Sequence, residues 1–182
     1  MKIGFCGTMS VGKTTLVNEL KKLPEFANYK VATERSQYLR DLGIPLNTDS
    51  TIKGQTIFLA ERAAELMNED ILTDRTVIDV MAFTELAKSI PIYRADAFED
   101  YASHFINDYD YIFYISPEGI DIEDNGVREI DEGYREAVDF SIVRLLETYN
   151  HKIKNLVKLE GSTEKRIQQI LECITMSAPV YL

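Results

Sequence analysis

Near the start of this chain two glycines, a lysine and a threonine stand at the spacing G-x-x-x-x-G-K-[ST]: Gly7-Thr8-Met9-Ser10-Val11-Gly12-Lys13-Thr14, with Thr15 following. That pattern is the phosphate-binding P-loop. The glycines let the backbone curl around phosphate oxygens, so that its amides and a helix N-terminus face the anion. Lys13 is placed to reach β- and γ-phosphates, and the Thr14 hydroxyl to ligate Mg²⁺. Residues 7–15 are therefore the expected contacts of a nucleoside triphosphate.

Phosphoryl transfer also needs an acid for the metal, an oriented acceptor and cations for the charge on the transferring group. Asp74 is the candidate for a water of Mg²⁺, with a helix-capping or salt-bridging role as its alternative. Glu34 could take a proton or hydrogen bond from an acceptor hydroxyl, or it could simply pair with Arg35. Arg75, Arg128 and Arg135 are the candidate cations. Arg128 closes an otherwise acidic stretch from Asp121, and Arg135 follows seven residues later, about two helical turns on. Gln55 and Arg62 share that seven-residue spacing and could touch a base or sugar. His104 and His151 stand apart from any metal-ligand spacing.

The chemistry is meaningful only if secondary structure carries these residues to one place. Residues 1–6 read as a short buried strand, and Leu16, Val17, Leu20 and Leu23 keep helical spacing after the loop. Lys30 to Thr33 is a second strand, followed by a short helix that Gly43 and Pro45 stop. Helical patterns cover about 51–68, 95–107, 130–149 and 163–174, and strands 111–115 and 155–159. The segment 71–86 has two frames. One makes Thr76-Val77-Ile78 a strand ending in Asp79 as the metal acid. The favoured frame makes 71–73 the strand, leaves Asp74-Arg75 at its edge, and lets Thr76 cap a helix with Asp79 at capping-box spacing.

Strands alternating with helices give an α/β fold: a parallel sheet of about five strands covered on both faces. Ligands in such sheets bind outside the carboxyl ends of the strands. The P-loop, Glu34-Arg35, Asp74-Arg75, the loop after Ile115 and Gly161-Ser162 all fall at that edge. Residues 117 to about 135 are expected to form an arginine-bearing lid.

Composition sets the remaining bounds. With 182 residues and 45% hydrophobic content, one domain spanning 1–182 is expected. No apolar run approaches the ~20 residues of a membrane span. Two isolated cysteines fit neither a disulfide framework nor a zinc site, and suit a reducing cytoplasm. A net charge of −10 argues against an extended nucleic-acid surface. A homodimer is compatible with the sequence, which does not fix the oligomeric state.

Several segments, in order, resemble a known group. They are GTMSVGKTT, ATERS, DRTVIDVMAFTE, YDYIFYISPEGIDIEDNGVR, DEGYREAVD and the terminal EGSTEKRI. Together they are similar to the small P-loop kinases of the AAA-type ATP-binding family related to ribosylnicotinamide kinase, with distant likeness to deoxynucleoside and nucleoside monophosphate kinases. The small acidic chain also suits that group's viral-type members. The resemblance implies an ATP- and Mg²⁺-dependent phosphotransferase acting on a small nucleoside or nucleotide. It assigns Glu34 to the acceptor, Asp74 and Arg75 to metal and substrate, and Arg128 and Arg135 to the lid. ATERS lacks the proline that often follows the acid in deoxynucleoside kinases. Two other readings remain at this point: a nucleotide-dependent regulatory ATPase, and a kinase of a modified base in DNA. The absence of an N-K-x-D motif counts against a GTPase switch.

Overall fold

The structure, a computed structural model, describes residues 1–33, 35–120 and 131–176. Glu34 and Arg128 lie outside the described residues, as does most of the expected lid. Five strands form one sheet: β1 (Lys2–Cys6), β2 (Lys30–Ala32), β3 (Ile71–Thr73), β4 (Tyr111–Ile115) and β5 (Leu156–Leu159). Their order is β2-β3-β1-β4-β5 and every pairing is parallel. Among the described residues the helices are α1 (Lys13–Leu20), α2 (Ser36–Asp41), α3 (Ile52–Glu65), α4 (Val77–Glu85), α5 (Ile92–Ser103), α6 (Glu132–Thr148) and α7 (Thr163–Met176).

The two-residue period of the strands divides the core in two. Ile3 and Phe5 of β1, with Tyr111, Phe113 and Ile115 of β4, face Leu16, Val17 and Leu20 of α1 and Ile170 of α7. Cys6, Ile112 and Tyr114 face the other way, into a larger cluster with Phe58, Val77, Ile78, Met81, Val138 and Ile142 from α3, α4 and α6. Gly4 pairs with Thr73 on one side and Ile112 on the other. A Cβ there would sit 2.5 Å from Thr76 Cγ2 and 2.7 Å from the Tyr109 ring, so only glycine lets the start of α4 close onto β1.

The chain adopts the second frame of segment 71–86. Thr76 caps α4: its Oγ1 accepts from the Ile78 N–H at 3.2 Å, and the Asp79 carboxylate accepts from the Thr76 N–H at 2.8 Å. The frame is fixed because a strand continuing through 76–78 would leave the first amides of α4 unsatisfied.

Two helices start where a proline or a capping carboxylate sets them, not where periodicity alone would. Periodicity places α5 at about 95–107, but it spans Ile92–Ser103. Pro91, which has no N–H to give, stands in front of it, and a 3-10 turn at Ile106–Asp108 takes over after it. The Asp131 carboxylate accepts from the Tyr134 N–H at 2.7 Å and starts α6 two residues later than its pattern suggests. Cys6 and Cys173 are both free thiols. Among the described residues no helix is long and apolar enough to cross a membrane.

Candidate functional site

β1 lies between β3 and β4, so the connections leave the sheet in opposite directions from its carboxyl end, and a crevice opens there. The loop from Gly7 to Gly12 starts in that crevice. Gly7 has φ +148°, and a Cβ on it would meet the Ile115 carbonyl at 2.5 Å. Gly12 has φ +86° and opens α1, whose first turn holds Lys13, Thr14 and Thr15. The backbone conformation that the motif requires is therefore present.

Lys13 does not project into open space as the sequence suggests. It is 7% exposed, and its Nζ donates to the carbonyls of Gly7 at 2.5 Å and Thr8 at 2.8 Å. Burial holds its ammonium below the usual lysine value, and the Asp79 charge partly offsets this. The lysine spans the mouth of its own loop, and the two carbonyls take the place of anionic oxygens.

Thr14 and Asp74 come together from elements sixty residues apart: the Thr14 hydroxyl donates to Asp74 Oδ2. Asp74 is buried, and its N–H donates to the Ala32 carbonyl at 2.9 Å, which fixes it at the edge of β3. A hydroxyl and a carboxylate side by side are hard oxygen donors of the kind that would hold Mg²⁺ or a water bound to it. Among the described residues no group of three His, Cys, Asp or Glu side chains could hold a metal by itself.

Asp79, the metal acid of the rejected frame, has a different place. It is fully buried and accepts from the Gly7 N–H at 3.2 Å, the Thr76 N–H at 2.8 Å and the Thr76 hydroxyl at 2.9 Å. One carboxylate thus ties the first glycine of the P-loop to the turn that carries Asp74 and Arg75. The capping-box spacing was visible in the sequence; the bond to Gly7 is tertiary and left no local signal.

Arg75 lies on the other side of Asp74, its guanidinium 4.8 Å from the centre of the Phe83 ring. It lines a cleft with Gln55, Phe58, Val80 and Phe83, closed by Ser36, Leu46, Asn47 and Ser50. Two aromatic rings, one buried amide and one guanidinium give the cleft an apolar wall with a polar edge. The Gln55–Arg62 pair separates: Gln55 faces the cleft, whereas Arg62 is buried against Glu65, Nη2 to Oε1 at 2.5 Å. The aromatic members of the cleft are not distinguishable by spacing from core positions of the same helices.

Arg135, in the first turn of α6, is also buried. Its carbonyl accepts from the Thr8 hydroxyl at 3.3 Å and its Nη1 donates to the Ile120 carbonyl at 2.6 Å. Its Nε and Nη2 have no hydrogen-bond partner among the described residues. Nη1 also lies 3.7 Å from Glu132 Oε1, so the guanidinium is partly balanced where its residue's backbone meets the P-loop.

Arg166, which the sequence reading did not single out, comes from the first turn of α7 and donates Nη1 to the Val11 carbonyl at 2.9 Å.

Comparison with known proteins follows this geometry. A search of curated proteins finds no match. The deoxyadenosine kinase from M. mycoides, solved with the products dCMP and a flexible dCDP, superposes with TM-score 0.68 at 19% identity, covering 98% of this chain and 100% of that one. The NadR protein in complex with NAD and AMP-PNP gives TM-score 0.69 at 19% identity, covering 99% of this chain and 50% of that one. NadR in complex with NR gives 0.72 at 18% identity, covering 99% and 51%. These likenesses show the fold of small P-loop kinases. The sequence itself matches an AAA domain family model over residues 2–166, and the chain belongs to that family.

Proposed function

We propose that this chain is an ATP- and Mg²⁺-dependent phosphotransferase that passes the γ-phosphate to a small nucleoside or nucleotide. The observation that carries this reading is the Asp74-Arg75 edge. Asp74 touches Thr14 of the phosphate loop, while the next residue, Arg75, lines an aromatic cleft with Gln55, Phe58 and Phe83. Adjacent residues facing a phosphate cradle and a small cleft walled by two aromatic rings fit a reaction between two bound molecules better than hydrolysis of one.

In this reading the amides of residues 7–15 hold the donor phosphates. Lys13 exchanges the Gly7 and Thr8 carbonyls for β- and γ-phosphate oxygens. Thr14 and Asp74 would hold Mg²⁺, which when bound neutralises charge on the β- and γ-phosphates. Arg75 orients the acceptor from the ring of Phe83. Glu34, by its position after β2, receives the acceptor's proton. Arg135, whose carbonyl accepts from Thr8 and whose Nε and Nη2 have no hydrogen-bond partner among the described residues, and Arg128 serve the charge on the transferring group. The cytoplasm is the proposed setting, in keeping with two free thiols.

The test is transfer of label from γ-phosphate-labelled ATP across a panel of nucleosides and nucleoside monophosphates. Label is expected in one acceptor class, with ADP released in equal amount. Label appearing only in inorganic phosphate, whatever acceptor is present, would replace the kinase reading with the regulatory ATPase.

A further inference from the structure

The P-loop has a support from outside its own motif. Arg166 is 8% exposed and reaches from α7 to the outer turn of the loop, where its Nη1 donates to the Val11 carbonyl at 2.9 Å. The same nitrogen lies 3.5 Å from where a Gly12 side chain would begin. Its Nε is buried with no hydrogen-bond partner, and among the described residues no carboxylate forms an ion pair with it. Burial alone lowers its hold on the proton, with no anion opposing that. Arginine nonetheless keeps its charge when buried, which lysine does not do reliably.

The contact acts on one peptide plane. The Val11 carbonyl and the Gly12 N–H belong to the same unit, and no peptide in the described chain is cis. In a trans peptide the two groups point in opposite directions. A carbonyl held toward α7 by a guanidinium therefore directs the Gly12 N–H away from α7. A cation bonded to the oxygen also polarises the unit and makes the N–H a stronger donor. Gly12, at φ +86°, has no side chain to hold that plane in place.

We propose that Arg166 is a positioning residue for the donor: through the Val11–Gly12 peptide it aims and strengthens the Gly12 N–H toward the β-phosphate, and adds a fixed positive charge behind the loop. The inference rests on the reading that this loop holds a nucleoside triphosphate.

The experiment measures binding of ATP, ADP and AMP, each with Mg²⁺, by calorimetry or displacement of a fluorescent ATP analogue. Wild type is compared with Arg166→Gln and Arg166→Lys, and thermal unfolding is recorded without ligand. In Arg166→Gln, ATP and ADP should each weaken by about tenfold or more, the size of a lost charge-assisted hydrogen bond. AMP, which has no β-phosphate, should keep its affinity to within about twofold on the same ground, and the ligand-free Tm should hold. Arg166→Lys should show an intermediate loss confined to ATP and ADP, and it carries the test alone if the glutamine variant does not fold. Wild-type affinity for ATP and ADP in both variants would overturn the proposal. So would an equal loss for all three nucleotides together with a lower ligand-free Tm, since that is the mark of a packing role. If wild type itself binds neither ATP nor ADP, the triphosphate reading of the loop fails first.

Discussion

On the side of Asp74 that the proposed reaction gives to the donor, the site is made mostly of backbone. Gly7 and Gly12 set the curl of the loop, α1 opens at Gly12, and Asp79, Arg135 and Arg166 hold the loop from three other elements. On the acceptor side it is made of side chains. Gln55 and Phe58 come from α3, Val80 and Phe83 from α4, and Ser36 from α2, and none is adjacent in sequence to another. The first construction recognises what every nucleoside triphosphate shares, a chain of phosphates. The second depends on single side chains, several of which also belong to the core cluster. The difference predicts that donor-side substitutions reduce every activity, while acceptor-side ones reduce transfer and leave hydrolysis alone.

The largest effect is expected at Lys13. Lys13→Ala should lower turnover by about a hundredfold or more, with and without acceptor, because it removes a charge contact used in the transition state. Its partners are two loop carbonyls, so the circular dichroism spectrum should be retained. Wild-type ADP release in this variant would break the donor-side assignment.

Asp74→Asn comes next. It keeps a hydrogen-bond partner for Thr14 but loses the negative charge. Both activities should fall by about tenfold to a hundredfold and recover in part as Mg²⁺ is raised, the range seen when a metal's supporting groups are altered. Titration of activity against Mg²⁺ reads this directly. An unchanged metal requirement would reassign Asp74 to a structural role.

Gln55→Leu sharpens the other side. It preserves bulk in the cleft and removes the amide, so the acceptor KM should rise by about fivefold to tenfold while acceptor-free ATP hydrolysis is unchanged. Steady-state kinetics with saturating ATP separates the two.

The smallest effect is a pH dependence of stability near the donor side. Burial raises the Asp139 carboxyl above its ordinary value, opposed by the Tyr114 hydroxyl that donates to it at 3.0 Å and by the charge of Arg135. A folded-state value above the unfolded one contributes stability at low pH, and that contribution is lost as pH rises through the folded value. Asp139→Asn keeps an acceptor for Tyr114 and cannot ionise. Its Tm should therefore fall less than that of wild type between about pH 4 and 7, by about 2 °C. Parallel melting curves in the two proteins would show that Asp139 stays at its ordinary value.

What could be read ahead of the structure followed the same division. The donor loop is contiguous, so its glycines, lysine and threonine declare themselves by spacing. The continuous apolar run at 111–115 and the capping residue Thr76 likewise fix their elements locally. The contacts that assemble the site were not legible, because they are made by folding: Asp79 to Gly7 across 72 residues, Arg166 to Val11 across 155. Arg62 shows the converse. Its spacing from Gln55 is that of a shared helix face, but burial against Glu65 satisfies it better than the cleft does. Phe58 and Phe83 carry no mark that separates a cleft wall from a core position, since both roles demand an aromatic ring on the buried side of a helix.

The division itself is tested most directly by one partition measurement: ADP released and acceptor phosphorylated, in the same reaction, for wild type, Asp74→Asn and Gln55→Leu. If the two sides meet at Asp74-Arg75 as described, Asp74→Asn lowers both products in proportion. Gln55→Leu lowers phosphorylated acceptor at sub-saturating acceptor while acceptor-independent ADP release stays at the wild-type rate. An equal fractional loss of phosphorylated acceptor and of the ADP released in excess of it in Gln55→Leu would contradict the account, because the cleft would then belong to the donor and not to a second substrate.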